Sequence, residues 1–376
     1  MREILVDGPG GVPELAEALR AARDGGPAVL PLAGSDPRLA DLRTRLAPER
    51  PAEPGTAVVV ATSGSTGDAK GVLLPAAALR ASAAATHARL GGPGQWLLAL
   101  PAQHVAGIQV LVRSLLAGFE PRAVRRGQPF ARRFAEAAQT LAAPRRYTSL
   151  VPTQLSRMLA GGYLDALRTF DAVLVGGAAA PAPLLEKARA EGVRVVTTYG
   201  MSETCGGCVY DGVPLDGVRV RITGGVVELG GPVLASGYRL DPAATANAFA
   251  GGWFRTTDLG VLHEDGTLEI HGRADFVINT GGVKVAPAAV EAVLAAQPGV
   301  AEACVVDLPS AEWGQLVAAA IVPDGEPPHP DDLREAVRTA LGGPAVPKLV
   351  RFVDTLPLHG PGKVDRSAVR ELLSTR

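Results

Sequence analysis

The stretch Thr62-Ser63-Gly64-Ser65-Thr66-Gly67-Asp68-Ala69-Lys70-Gly71 gathers hydroxyls, glycines and a lysine within ten residues, and its chemistry is that of an anion grip. Gly64, Gly67 and Gly71 let the backbone turn sharply and bring peptide N–H groups close to an oxyanion. Thr62, Ser63, Ser65 and Thr66 add hydroxyl donors, and Lys70 adds positive charge. A polyphosphate is the matching ligand. The spacing is not that of a Walker loop, which needs four residues between a glycine and Gly-Lys-Ser/Thr. Here two residues separate Gly67 from Lys70, and glycine follows. The other reading, a flexible surface linker, does not require the apolar run Ala57-Val58-Val59-Val60-Ala61 before it or Val72-Leu73-Leu74 after it.

The elements that would hold such a loop alternate between helix and strand. Leu15, Ala18, Leu19 and Ala22 recur at helical spacing over 13–22, and 28–32 reads as a short buried strand. A helix is predicted near 75–89, a strand at 96–100, and helices at 106–117 and 130–142, the last with Phe130, Phe134, Ala138 and Leu141 on one stripe. Short apolar runs at 147–151, 172–175 and 193–197, separated by helices, predict parallel strands covered on both faces. Ligands in such sheets sit beyond the carboxyl ends of the strands. The candidate loops there are 62–71, Gly176-Gly177-Ala178-Ala179 and Tyr199-Gly200-Met201-Ser202-Glu203-Thr204.

From about residue 213 the texture changes to short strands and glycine turns, which predicts an antiparallel, barrel-like piece ending near Asp275. A helix at 287–296, strands at 303–307 and 316–322 and a helix at 331–341 then predict a small α+β tail. The expected fold is α/β: a large N-terminal domain, 1–272, with mostly parallel sheets and the barrel-like β portion, and a small mobile α+β domain, 273–376.

Bulk properties narrow the function. A length of 376 residues suggests two domains, and a formal net charge of -1 offers no electrostatic case for nucleic acid or an anionic membrane surface. Of three cysteines, Cys205 and Cys208 lack the second Cys or His pair that a zinc site needs, and their number suits a reducing cytoplasm better than a disulfide framework. No apolar stretch reaches the ~20 residues of a membrane span, and the N-terminus lacks a signal-peptide layout. The expectation is a soluble cytoplasmic protein acting on small molecules, without nucleic acid or membrane insertion, and with a homodimer as the assembly to test.

Six pieces in a fixed order carry a family resemblance: the loop at 62–71, Tyr199 to Thr204, Gly231-Pro232 with Gly237-Tyr238, Trp253-Phe254-Arg255-Thr256-Thr257-Asp258, Gly272-Arg273-Ala274-Asp275, and Gly362-Lys363-Val364-Asp365-Arg366. On these the chain resembles the adenylate-forming acyl-CoA synthetases. Leu100 to Gly107, Ser149 to Leu155 and the small size liken it to the branch that activates o-succinylbenzoate in menaquinone biosynthesis. Members of this family carry a longer segment before the phosphate loop, whereas only about sixty residues stand there now, so the large domain is expected to be shortened.

The resemblance implies ATP, Mg²⁺ and coenzyme A, and it implies roles. Residues Thr62, Ser63, Gly64, Ser65, Thr66, Gly67 and Lys70 would hold the β- and γ-phosphates, Glu203 would ligate Mg²⁺, and Ser202 would contact the α-phosphate. Tyr199 would offer a flat face to adenine, Gly176, Gly177 and Ala178 would let the base approach the backbone, Gly200 would belong to the same ATP site, and Asp258 would accept from both ribose hydroxyls. Lys363, in a Gly- and Pro-rich loop, would stabilise charge developing at the α-phosphate. Together with Glu203 and Lys70 it forms the expected catalytic set. Arg273 would touch ribose or phosphate, Asp275 would be the hinge between two domain arrangements, and Gly281, Gly282 and Lys284 would line a thiol passage. For the acid, His104, Gln109, Thr153 and Gly177 are the candidates, with Gln154 or Arg113 as further sources of a polar wall.

Each residue has a plainer reading. Glu203 could be a surface residue, Tyr199 a core tyrosine, Asp258 a turn starter, Lys363 a solvated lysine, His104 structural, and Arg273 half of an inter-domain ion pair. At the level of function the alternatives are a different aryl or acyl acid activator, one that loads a carrier protein, and a nucleotide-binding interaction protein without catalysis.

Overall fold

The computed structural model describes residues 1–8, 10–62, 69–125, 127, 129–358 and 364–375. It is an α/β molecule with four sheets. The first sheet sets strands Arg2–Leu5, Val29–Leu32 and Thr56–Thr62 parallel, then adds Lys70–Pro75 and Gly237–Tyr238 antiparallel. The second has seven strands, of which Arg122–Ala123, Gln95–Leu98, Arg146–Leu150, Ala172–Gly176 and Val195–Met201 run parallel. Gly206–Tyr210 turns back antiparallel on Val195–Met201, and Val213–Pro214 completes the edge.

The alternation that strand geometry imposes is visible in the packing. Trp96 and Leu98 face a core filled by helices Gly11–Arg23, Ala76–Arg89 and Val105–Leu116, which lie between the first two sheets. Leu97, Val173 and Val175 face the opposite core, with Phe134, Leu155, Met158 and Phe170. The second sheet is therefore buried on both faces, as its apolar runs predict.

The third sheet is antiparallel and holds Arg219–Thr223, Val226–Gly230, Trp253–Leu262, Phe249–Ala250 and Leu268–Arg273. The fourth holds Ile278–Thr280, Val283–Val285, Val300–Ser310, Gly314–Pro323 and Leu349–Phe352. Helices Pro287–Ala295, Pro330–Leu341 and Arg366–Ser374 cover it, and its two apolar clusters draw only on residues 278–373.

Three details differ from the sequence-based expectation. The helix expected over 130–142 ends at Ala138, although Leu141 still packs in the core. The strand expected at 193–197 runs on to Met201 because Gly206–Tyr210 pairs with its second half. The residues after the phosphate-type loop form a strand, Lys70–Pro75, before the helix Ala76–Arg89 begins. That loop thus joins two antiparallel strands, with Thr62 opposite Lys70.

Candidate active site

The strand Val195–Met201 and the one-turn 3₁₀ helix Ser202–Thr204 carry the central group of expected site residues. The turn is pinned by Thr204, whose hydroxyl donates to the Gly206 carbonyl at 2.8 Å and accepts from the Met201 N–H at 3.0 Å. Cys205 then takes a left-handed conformation, with φ of 51°. Its carbonyl accepts from Gln109 Nε2 at 2.7 Å and from Ser82 Oγ at 3.2 Å, both buried. The adjoining strands approach closely at Gly200, where a Cβ would stand 2.2 Å from the Gly206 carbonyl oxygen. Only glycine fits there.

Two clusters flank this segment. At one end, the Tyr238 hydroxyl donates to Glu203 Oε1 at 2.9 Å, and Lys70 Nζ lies 4.7 Å from the centre of the Tyr238 ring. Burial and the neighbouring Glu203 charge push the Tyr238 pKa far above its ordinary value, so the hydroxyl stays protonated as a donor. The Thr62 hydroxyl donates to the Lys70 carbonyl at 3.3 Å and closes the base of the loop. The Glu203 carbonyl accepts from Ala235 N at 2.8 Å, which ties the turn to the approach of the Gly237–Tyr238 strand.

At the other end, the Tyr199 hydroxyl donates to Asp258 Oδ2 at 2.7 Å. Burial, reinforced by the Asp258 charge, raises the Tyr199 pKa well beyond its usual range. Asp258 stands opposite Arg273 in the third sheet, and Arg273 grips Asp275 through Nε at 2.8 Å and Nη2 at 2.6 Å. Phe276 is stacked by two guanidinium groups, those of Arg273 and Arg366, each 5.2 Å from its ring centre. Gly176 abuts Thr198, where a Cβ would fall 2.2 Å from Thr198 Oγ1. Gly177, with φ of 81°, faces Val151. One end thus presents a cation, a carboxylate and a hydroxyl suited to phosphate and its metal. The other presents a ring and a carboxylate suited to a nucleoside.

The remaining expected residues are more dispersed. His104 is half-buried just before the helix Val105–Leu116, near Asp36, whose carboxyl is held low chiefly by Arg38. Gln109 is buried, and its Oε1 has no hydrogen-bond partner among the described residues. Thr153 is half-buried in the first turn of the helix Pro152–Ala160. Gln154 serves the chain itself, accepting from Val151 N and donating to the Ala99 carbonyl. Gly281 and Gly282 form the two-residue turn of a hairpin in the fourth sheet, where Gly281 packs on Trp313 and the exposed Lys284 follows. Ser63, Gly64, Ser65, Thr66, Gly67 and Lys363 lie outside the described residues.

Arg113 is only 3% exposed. Its Nη2 donates to the Tyr210 hydroxyl at 3.2 Å, its guanidinium lies 4.9 Å from the Trp96 ring, and its Nε has no hydrogen-bond partner among the described residues. No carboxylate pairs with it among the described residues, and burial depresses its pKa. The same burial, together with the Arg113 charge, drives the His87 pKa down to about 4, so His87 is neutral and accepts from Trp96 Nε1.

The chain is similar in sequence and in fold to known proteins. The profile of the AMP-binding enzyme family matches residues 7–232, and that of the AMP-binding enzyme C-terminal domain matches 289–363. The chain is 47% identical over 352 residues to a probable 2-succinylbenzoate–CoA ligase of Mycobacterium tuberculosis, spanning 90% of this chain and 92% of the relative. It is 34% identical over 344 residues to the 2-succinylbenzoate–CoA ligase of Geobacillus kaustophilus, spanning 84% and 69%. Among solved structures, the o-succinylbenzoate CoA synthetase of Bacillus subtilis, in complex with its acyl-adenylate intermediate, aligns with a TM-score of 0.73 at 26% identity, over 94% of this chain and 80% of that one. An amide bond synthetase of Marinactinospora thermotolerans aligns with a TM-score of 0.78 at 30% identity, over 96% and 82%.

Proposed function

The chain belongs to the AMP-binding enzymes, and from that premise we propose that it activates o-succinylbenzoate with ATP and passes the acyl group to coenzyme A, giving o-succinylbenzoyl-CoA for menaquinone biosynthesis. The observation that carries the reading is the paired grouping of Lys70, Tyr238 and Glu203 with Tyr199, Asp258 and Arg273 around one short segment.

In the first step a carboxylate oxygen of the acid bonds to the α-phosphorus, and the bond to pyrophosphate breaks. The loop from Thr62 to Lys70 grips the departing phosphates, and Ser202 contacts the α-phosphate. Glu203 supplies the hard oxygen that suits Mg²⁺, which would offset charge on the β- and γ-phosphates. Tyr199 and Gly176 to Ala178 bracket the adenine, and Asp258 holds the ribose. Lys363 stabilises the charge that develops at the α-phosphate. In the second step the thiolate of coenzyme A bonds to the acyl carbon and AMP leaves. Lys363 is not needed there, so the domain formed by 273–376 turns about Asp275 and presents Gly281, Gly282 and Lys284 to the thiol arm. The internal apolar clusters of the fourth sheet suit a unit that moves as one body.

Arg113 supplies the polar wall for the second carboxylate of the acid. A buried guanidinium without an anion is costly, and a carboxylate arriving with the substrate would complete it. Arg113→Met is expected to raise the KM for o-succinylbenzoate by roughly 30- to 100-fold, the loss of one buried charge pair, while the melting temperature without substrate does not fall. An unchanged KM in a folded variant would return Arg113 to a purely structural part beside Tyr210.

No described helix is long and apolar enough to cross a membrane, and cytoplasmic residence follows in this proposal from where ATP and coenzyme A are held. The direct test incubates the protein with ATP, Mg²⁺, coenzyme A and a panel of aromatic and aliphatic acids, following AMP and thioester. o-Succinylbenzoate is expected to give the highest kcat/KM, and turnover of another acid with none of this one would overturn the substrate. Amines in place of coenzyme A serve as the acceptor control, because the amide bond synthetase shares the fold.

A further inference from the structure

We propose that Arg239 is a positioning residue for the phosphate end of the site, through which the segment Leu46 to Glu53 sets where Glu203 and Lys70 stand. The inference rests on the reading of those two residues as the metal- and phosphate-handling groups.

The Arg239 side chain is fully buried. A guanidinium has five N–H donors in a fixed fork, and here each finds an acceptor on the same segment. Nε donates to the Leu46 carbonyl, Nη1 to the Pro51 carbonyl at 3.0 Å and to Glu53 Oε2 at 2.9 Å, and Nη2 to the carbonyls of Ala47 at 2.9 Å and Arg50 at 3.1 Å. Glu53 returns the contact by accepting from Leu240 N at 3.0 Å. The segment is thereby fastened to the chain immediately after Tyr238.

From that anchor two short paths lead to the site. Tyr238, one residue earlier, gives its hydroxyl to Glu203 and its ring face to Lys70. The Arg239 backbone N–H donates to the Gly71 carbonyl at 2.7 Å, one residue beyond Lys70. Gly71 is itself wedged: a Cβ there would meet Leu46 Cδ2 at 2.5 Å and Arg239 Cβ at 3.1 Å. Leu46, Gly71 and Arg239 thus form one contact, so a shift of the segment would move Tyr238 and the strand that begins at Lys70 together. Interactions of this kind act on ground-state and transition-state phosphate contacts without touching the reacting atoms.

Two variants test it. Arg239→Lys keeps the charge but cannot span five acceptors, and Glu53→Gln keeps an acceptor for Leu240 N while removing the ion pair. In pyrophosphate exchange, Arg239→Lys is expected to raise the KM for Mg-ATP on the order of tenfold and Glu53→Gln about threefold, with the KM for the acid and thioester formation from supplied acyl-adenylate held within about twofold. Thermal melting reports folding, and if Arg239→Lys does not fold, Glu53→Gln decides alone. An unchanged KM for Mg-ATP, or equal losses at the ATP, acid and thioester steps, overturns the inference. Glu203→Gln, measured in parallel, separates the two readings: if it leaves ATP use intact, the assignment of Glu203 fails whatever Arg239 does.

Discussion

Replacing Lys363 by alanine is expected to lower pyrophosphate exchange by about 10²- to 10³-fold, the cost of deleting one preorganised charge at a developing oxyanion. Thioester formation from supplied acyl-adenylate is expected to stay within a fewfold of the parent. The asymmetry follows from the chemistry. Adenylation spreads charge over the phosphorus centre, where an ammonium helps, whereas thiolate attack occurs at carbon. Single-turnover measurements of the two half-reactions decide it, and an equal loss in both would assign Lys363 to folding or docking instead.

Glu203→Gln is the second large effect. The amide keeps the size of the side chain and can still accept from Tyr238, so the turn held by Thr204 and Cys205 should survive. What disappears is the negative charge that suits a hard divalent cation. Adenylation is expected to drop on the order of 10²-fold, with the Mg²⁺ concentration for half-maximal rate displaced upward. If the rate falls while the Mg²⁺ dependence stays put, Glu203 acts through Tyr238 and not on the metal.

Much of the scaffold can be read from residue patterns because its strands and helices are strongly periodic. The runs at 147–151 and 172–175 correspond to parallel strands, and Leu15, Ala18, Leu19 and Ala22 mark a helix that buries those same residues. The strand Lys70–Pro75 is harder to recognise, since a short apolar run next to a helix has no period of its own. The C-terminal helix does carry a signal in Asp365, which caps it through Ser367 and Ala368, and in Val369 and Leu373 four apart. Position in the chain hides the rest. The Arg239 to Glu53 pair spans 186 residues and Tyr238 to Glu203 spans 35, and no local pattern announces either. Arg113 lies one turn after Gln109 in the largely apolar helix Val105–Leu116, and its burial with no paired carboxylate among the described residues shows only in the fold.

Lys70 begins the strand Lys70–Pro75, which runs antiparallel to Thr56–Thr62, so its ammonium is offered from a strand start and not from the half-charge of a helix N-terminus. In the proposed function, what the loop from Thr62 to Lys70 adds to Glu203 and Lys363 in holding a tetra-anion is peptide N–H groups, hydroxyls and the ammonium of Lys70. Such short-range contacts hold a ligand firmly once seated but draw it in weakly from afar, so ionic strength should alter capture of ATP less than a strongly basic cleft would.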